Sequence, residues 1–276
     1  IRFTLVRLDS DHFALHVTNH HVILDGWSMP LLLGELLHYY GDPGQIGACR
    51  PAASYRDYLA WLGEQDQDAS TAAWAQAYAD VDGPTRVTRL GAATTVFDAG
   101  EVIAELPGQE YARLRSAAAE SAVTVGTALS AAWALVLRTL TGDTDVVLGS
   151  AVAGRPPELP GVDRALGMFL STVPIRVRLE PSMLLRELLV HVQDANALVL
   201  DHHYVGLPAI HRAVGRSDLF DTALAFQSFP LREDALQQLV TAAGLHVDSV
   251  TGLDATPLTR FRSGGSVRMG SCPTTR

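Results

Sequence analysis

Apolar residues recur through two short stretches at the start of the chain, Ile1 to Leu8 and His12 to Thr18, and in the second Phe13, Leu15 and Val17 alternate with less apolar residues. This pattern on the two sides of Asp9-Ser10-Asp11 predicts two strands joined by a tight connection. The apolar spacing then lengthens. Ser28 as an N-cap, Pro30 in the first turn, an apolar face from Leu31 to Tyr40 and Gly41 as a stop predict a helix. The segment between, from Asn19 to Trp27, is therefore a loop between a strand end and a helix start, a place where rigid elements hold a short exposed segment.

Further on, Asp42-Pro43-Gly44 opens a loop, and Ser54 is positioned to cap a helix bearing Tyr55, Tyr58, Leu59 and Leu62 at spacings of three and four. A following helix carries Trp74 and Tyr78. Asp82-Gly83-Pro84 breaks it, and the polar residues to Thr95 read as a connection between two lobes, residues 1–85 and 86–258. The second lobe is expected to open with a strand at Glu101 to Leu106 and a helix from Glu110 to Glu120. A helix capped by Thr124 follows, apolar nearly all round from Ala128 to Leu140 and so expected to be buried. Asp143 to Ala151 reads as a buried strand, followed by a Pro- and Gly-rich loop, Gly154 to Gly161, and a strand emerging from Gly167 to Arg176. Ser182 is placed to cap a long helix through Leu200, ended by His202-His203, and Leu219 to Phe226 reads as a strand. Strands mixed with helices throughout indicate an α/β fold class. Residues 259 to 276, rich in Gly, Ser and Arg with neither period, are expected to be irregular and are open to being a non-native tail.

Bulk composition narrows the function classes. Across 276 residues, 47% are hydrophobic and 18% charged, which suits a globular protein rather than a disordered one. A formal net charge of -9 with scattered arginines argues against a nucleic-acid partner, because phosphate recognition runs on clustered basic residues. No apolar run approaches the ~18 residues of a membrane span, and the first residues are not a signal peptide, so a soluble, cytoplasmic protein with no membrane partner is expected. The cysteines, Cys49 and Cys272, exclude a disulfide framework while leaving one bridge open.

The chemistry concentrates in Asn19-His20-His21-Val22-Ile23-Leu24-Asp25-Gly26-Trp27-Ser28, a polar cluster inside an apolar run, where unpaired polar groups are costly to bury. On an extended strand His20 and His21 point to opposite faces, so one is expected to do chemistry and the other to pack. A metal site is not expected, since adjacent histidines diverge and no third ligand sits at suitable spacing. Asp25 could orient a histidine or pair with an arginine, and Gly26 allows close backbone approach. Ser150 lacks the Gly-x-Ser-x-Gly setting of a hydrolase nucleophile, and His202-His203 has Leu207 where an aspartate would be needed.

His20-His21-x-x-x-Asp25-Gly26-Trp27-Ser28 resembles the active-site motif of the condensation domains of nonribosomal peptide synthetases, which share the fold of chloramphenicol acetyltransferase. The segments Tyr55 to Leu62, Gly154-Arg155, Gly167-Met168-Phe169-Leu170-Ser171-Thr172, His202 to Pro208 and Leu219 to Phe226 resemble later motifs of that family in the same order, with Ser171 where it carries asparagine. The resemblance implies a two-lobed α/β architecture, with His21 catalytic, His20, Asp25 and Gly26 supporting it, and Trp27, Arg155 and Ser171 as candidates for lining a substrate tunnel. It favours an arginine partner for Asp25, with one in the family's preceding segment as a candidate. It implies a reaction between an acyl or peptidyl thioester and the α-amino group of an aminoacyl thioester, with no directly bound cofactor. The substrates would be tethered through 4'-phosphopantetheine on donor and acceptor carrier domains, beside an adenylation domain. An α-amino group of pKa ~8 is already partly neutral at pH 7, so imidazole need only orient it and take its proton. The apolar Val22-Ile23-Leu24 faintly suggests a D-configured donor. The alternative is a silent relative that binds carrier or accessory proteins, although such relatives usually lose the second histidine or the Asp-Gly. The match runs from about residue 1 to about residue 258 and the family domain begins earlier, so the chain is expected to be incomplete at both ends and inactive alone.

Overall fold

The computed structural model describes residues 1–46, 52–87, 102, 104–227 and 233–249 and the backbone of Thr259–Arg262; Cys49, Cys272 and residues 263–276 lie outside them. The described chain forms two compact units, each built from separate stretches of sequence.

One unit comprises Ile1–Glu64, Arg155–Leu170 and Phe229–Thr251. Its hairpin is the one the alternation predicts: β1 (Arg2–Arg7) pairs antiparallel with β2 (Phe13–Thr18) from Arg2↔Thr18 to Arg7↔Phe13. Asp9 holds the turn, its Oδ1 accepting from the amides of Asp11 at 2.9 Å and His12 at 2.8 Å. α1 (Ser28–Gly41) begins with Ser28 as its first helical residue, not its cap, and the Ser28 N–H is instead satisfied by Asp25 Oδ1 at 2.8 Å. α1 packs on α8 (Glu233–Ala242) at Gly41, where a Cβ would lie 3.1 Å from the Cα of Ala243. α2 (Tyr55–Gly63) carries the expected cap as a full capping box: Ser54 Oγ accepts from Asp57 N, and Asp57 Oδ2 from Ser54 N.

The other unit comprises Gln65–Gly154, Ser171–Ser228 and Gly252–Arg276. Its elements are α3 (Gln67–Ala77), α4 (Gly108–Glu120), α5 (Val125–Thr141), α6 (Leu185–Ala197) and α7 (Leu207–Val214), around a sheet of β3 (Asp145–Ala153), β4 (Leu170–Arg178), β5 (Ala223–Gln227) and β6 (Thr259–Arg262). The strand order is β4-β3-β5-β6, with β3–β5 and β5–β6 parallel. Thr124 caps α5 by accepting from Thr127 N at 3.0 Å, and Gly142 ends it at φ 84°, a conformation that favours glycine. Only one stripe of α5 is buried, Ala128, Ala131, Ala134 and Leu137, against Val146, Leu148, Ile175, Val177 and Val192; Leu135, Val136 and Leu140 are exposed, contrary to the all-round burial expected. A second cluster gathers Trp74, Tyr78 and Val81 with Val147, Val173, Val205, Ile210 and Leu219.

Several expectations are corrected. The division at residue 85 does not hold, because Thr85 is buried in the second unit, giving its N–H to Leu219 O at 2.9 Å and accepting from Val147 N at 2.7 Å. α3 belongs to that unit through Trp74, while Arg155–Leu170 returns to the first. Ala104–Leu106 form no strand, and residues 101 and 103 lie outside the described residues. α6 starts at Leu185 with Glu187 accepting from Leu184 N at 2.9 Å, so Ser182 is not its cap, and it ends at Ala197 rather than Leu200. Thr259–Arg262, expected to be irregular, pairs with β5 from Leu224↔Thr259 to Gln227↔Arg262. A polar, Arg-rich tetrapeptide carries little alternation of its own, and backbone pairing recruits it.

His202 and His203 form part of the structure after α6, as expected. His202 accepts the Trp74 indole N–H on its carbonyl at 3.1 Å, and the His203 ring stacks on Trp74 at 6.3 Å. Burial pushes His203 down to about 4, the neighbouring His202 adding to it and Asp201 opposing. The folded state thus keeps this ring neutral where an unfolded chain, titrating near 6.5, takes up a proton. Stability from this group is whole above pH 6.5 and is lost as pH falls toward 4, by up to about 3 kcal/mol. His203→Phe, which keeps a ring against Trp74, should show a shallower fall of the urea midpoint between pH 6.5 and 4; identical slopes in both proteins would refute a buried neutral histidine.

Candidate active site

β2 ends at Thr18, and the chain turns before α1 begins. Ile23 N donates to His20 O at 3.1 Å, so His20 to Ile23 form a turn rather than a continued strand. Both His20 and His21 are exposed. The expectation that one of them packs fails because alternation of faces holds only while the backbone stays extended. Burial begins at Leu24 and Asp25.

Asp25 is the anchor of the loop. Its Oδ1 accepts from Ser28 N at 2.8 Å and Ser28 Oγ at 2.7 Å, and its Oδ2 from Phe169 N at 3.1 Å. Arg155 Nη2 lies 3.3 Å and 3.4 Å from the two oxygens, with the side chains 7% and 4% exposed, which makes the ion pair a buried one. Asp25 N donates to Gly167 O at 3.0 Å, and Ser28 Oγ accepts from Gly167 N at 3.1 Å. An arginine partner of Asp25 therefore lies within this chain, 130 residues onward, and not in the preceding segment given as one candidate.

Arg155 is itself fully engaged on its Nη1, which donates to Val162 O at 2.6 Å and Ala165 O at 2.8 Å. Its guanidinium carbon lies 4.0 Å from the Phe169 ring centroid and 5.6 Å from that of Trp27. Desolvation lowers its pKa and the Asp25 carboxylate raises it in opposition. It is a structural brace in this unit, not an open lining residue. Trp27 is half-buried and donates its indole N–H to Asp163 O at 2.9 Å. Gly26 is half-buried in the turn before α1. Ser171 lies in β4, in the other unit.

An aromatic cluster supports the same segment. Tyr55 donates its hydroxyl to Met168 O at 2.8 Å, and Tyr55 and Tyr58 meet Phe169 at 5.2 Å and 4.8 Å between ring centroids. Burial raises the pKa of Tyr55, helped by the charge of Asp25. A Cβ on Gly167 would run into the Tyr55 ring and come within 3.0 Å of Phe169, so glycine is required there by packing. Ser28, Gly167 and the Phe169 amide are partners that periodicity does not find; the Trp27-Ser28 and Gly-x-Phe matches are the available signal. Among the described residues no cluster of metal-ligating side chains occurs.

With this geometry in view, the comparisons with known proteins are specific. A family description, Condensation domain, matches residues 1–253. Bacitracin synthase 3 of Bacillus licheniformis is 29% identical over 242 residues, 86% of this chain and 4% of that protein. Chondramide synthase cmdD of Chondromyces crocatus is 33% identical over 252 residues, 86% of this chain and 6% of that protein. Among solved structures, the X-domain in complex with OxyB from teicoplanin biosynthesis superposes with a TM-score of 0.71 at 21% identity, over 98% of this chain and 63% of that one. The first condensation domain of the calcium-dependent antibiotic synthetase in complex with a substrate analogue gives 0.61 at 22%, over 79% of this chain and 51% of that one. The chain belongs to the condensation-domain family of nonribosomal peptide synthetases, and its α/β fold is that family's chloramphenicol acetyltransferase-like fold. It spans about half to two thirds of those solved chains and a few per cent of the synthetases.

Removing one member of the buried pair leaves the other charge uncompensated. Arg155→Met should destabilise the first unit by roughly 3–5 kcal/mol, and adding Asp25→Asn should recover part of that loss. Urea unfolding of both variants measures this; strictly additive losses would show that the two side chains do not act as a pair.

Proposed function

We propose that this chain contributes the His21 side of a condensation site that joins a carrier-bound acyl or peptidyl thioester to the α-amino group of a carrier-bound aminoacyl thioester. The observation that carries the proposal is an exposed imidazole at position 21 on a short turn whose far end, Asp25, is clamped by buried hydrogen bonds and an ion pair. Pre-organisation of this kind suits a group that must meet two tethered substrates.

In this reading the amine nitrogen attacks the thioester carbonyl carbon, the C–N bond forms, and the C–S bond breaks as the tetrahedral adduct collapses. His21 takes the proton released by the attacking nitrogen and returns it to the departing thiolate, so the imidazole is unchanged at the end of the cycle. No group besides the two phosphopantetheine thioesters is needed for balance. The partners are donor and acceptor carrier domains and a neighbouring adenylation domain. Arg155 and Asp25 hold the loop and do not touch substrate.

A second reading is a recruiting domain without chemistry, prompted by a structural neighbour, an X-domain, that was solved in complex with OxyB. Retention of His21, Asp25 and Gly26 favours the catalytic one. In an intact module containing this region, His21→Ala should lower dipeptide formation from loaded carriers by at least ~100-fold, the ordinary scale of acid-base assistance. Unchanged turnover in that variant would remove the catalytic assignment from His21. Residues 1–276 alone should form no dipeptide; detectable product would show that the chain needs no further partner structure.

A further inference from the structure

Inside the second unit, toward the carboxyl ends of the parallel neighbours β3 and β5, lies a cavity of about 160 Å³. This is the end of a parallel sheet at which α/β folds place ligands. The start of α5 forms one wall and the later turns of α6 another. Ile175, Val192, Leu224 and Phe226 supply apolar surface, and among the described residues no Asp, Glu, Lys, Arg or His lines the cavity. A charged guest would find no counterion there. The volume is close to the ~150 Å³ of a cavity that admits benzene, so a guest of about six heavy atoms fits.

The polar groups of the lining narrow the guest further. Two hydroxyls on the α5 side are committed to the protein itself: Thr127 donates to Gln193 Oε1 at 2.5 Å and Ser130 to Gly126 O at 3.0 Å. Asn196 differs. Its Oδ1 is shut off from water and has no hydrogen-bond partner among the described residues, and a buried acceptor left so is costly. The last torsion of an asparagine is soft, so a small rotation brings that oxygen to a guest. Ser150, which pairs with Leu224 across β3 and β5, adds a hydroxyl able to give or take a hydrogen bond. An amide is the neutral group that gives an N–H to a carboxamide oxygen and accepts one from a carboxamide nitrogen at once.

We propose that this cavity binds a short neutral amide on an aliphatic body, its head on Asn196 and Ser150 and its methyl groups on Ile175, Val192, Leu224 and Phe226. Two sources supply such a group: a free small molecule, or the side chain of a glutamine-like residue carried on a thioester. The second source rests on the condensation reading. The site itself does not, since His21 belongs to the first unit.

The test measures binding of isobutyramide, isobutyrate and methyl isopropyl ketone, three molecules of nearly one shape, to the intact module by saturation-transfer NMR. Isobutyramide should bind with a millimolar Kd, as suits so small a ligand. The other two should bind at least ~10-fold more weakly, because one brings an unpaired charge and the other no N–H. Asn196→Leu should remove that preference. Gly126→Ala, whose Cβ would lie 3.6 Å from Phe226 Cδ1, should narrow the cavity and weaken isobutyramide without lowering the thermal midpoint. Equal binding of the three probes, or a preference for the amide that survives Asn196→Leu, would overturn the proposal, as would crystals soaked in isobutyramide that hold only water in the cavity. Isobutyramide that slows dipeptide formation from a glutamine-loaded carrier but not from an alanine-loaded one identifies the tethered source; binding that leaves both rates unchanged identifies the free molecule. A fully active His21→Ala would end the catalytic reading of that residue and leave these binding measurements as they stand.

Discussion

The carboxylate of Asp25 is the point from which the organisation of the first unit follows. It is nearly inaccessible to water, and its oxygens are met by the start of α1, by the Phe169 amide and by the Arg155 guanidinium. A charge in that position is tolerable only with such a shell, because an unpaired buried carboxylate is far more costly than any single hydrogen bond repays. It ties the histidine loop and the adjoining start of α1 to two stretches distant in sequence, Arg155 and the Gly167–Phe169 segment. The aromatic packing of Tyr55 and Tyr58 on Phe169 and the absence of a side chain on Gly167 are conditions for that shell to close.

This arrangement explains how a short exposed turn can be held in place without being buried. The histidine pair sits at the open end of a loop whose other end is fixed, and the turn itself is closed by hydrogen bonds that His20 accepts from the Val22 and Ile23 amides. Fixing one end by a buried ion pair and the other by the antiparallel register of β2 leaves few conformations to the residues between. Conformational entropy is lost on folding rather than at the moment of reaction.

Local signals in the sequence are legible where a single residue decides the structure. The hairpin over β1 and β2, the capping box at Ser54 and the Thr124 cap each depend on neighbours a few positions away. The change from alternating to helical spacing locates the histidine loop. Its internal geometry stays hidden, because alternation of faces does not extend past Thr18, where the strand has already ended. The Asp25–Arg155 pair is out of reach for a different reason. Nothing in periodicity links two residues 130 positions apart, and only the family motif places them both in one region of function. Thr85 misleads for the converse reason: a breaker sequence, Asp82-Gly83-Pro84, reads as a linker, whereas the backbone just beyond it is used to bond Leu219 and Val147.

The interleaving of the two units carries a consequence for how such a protein can be divided. The chain leaves the first unit after Glu64, re-enters it at Arg155, leaves again after Leu170 and returns at Phe229. No single cut in the polypeptide separates one unit from the other, so neither can be excised, exchanged or inherited as a contiguous cassette. A single crossover between positions 25 and 155 would hand Asp25 to one parent and Arg155 to the other, and would need parents whose charge partners are interchangeable.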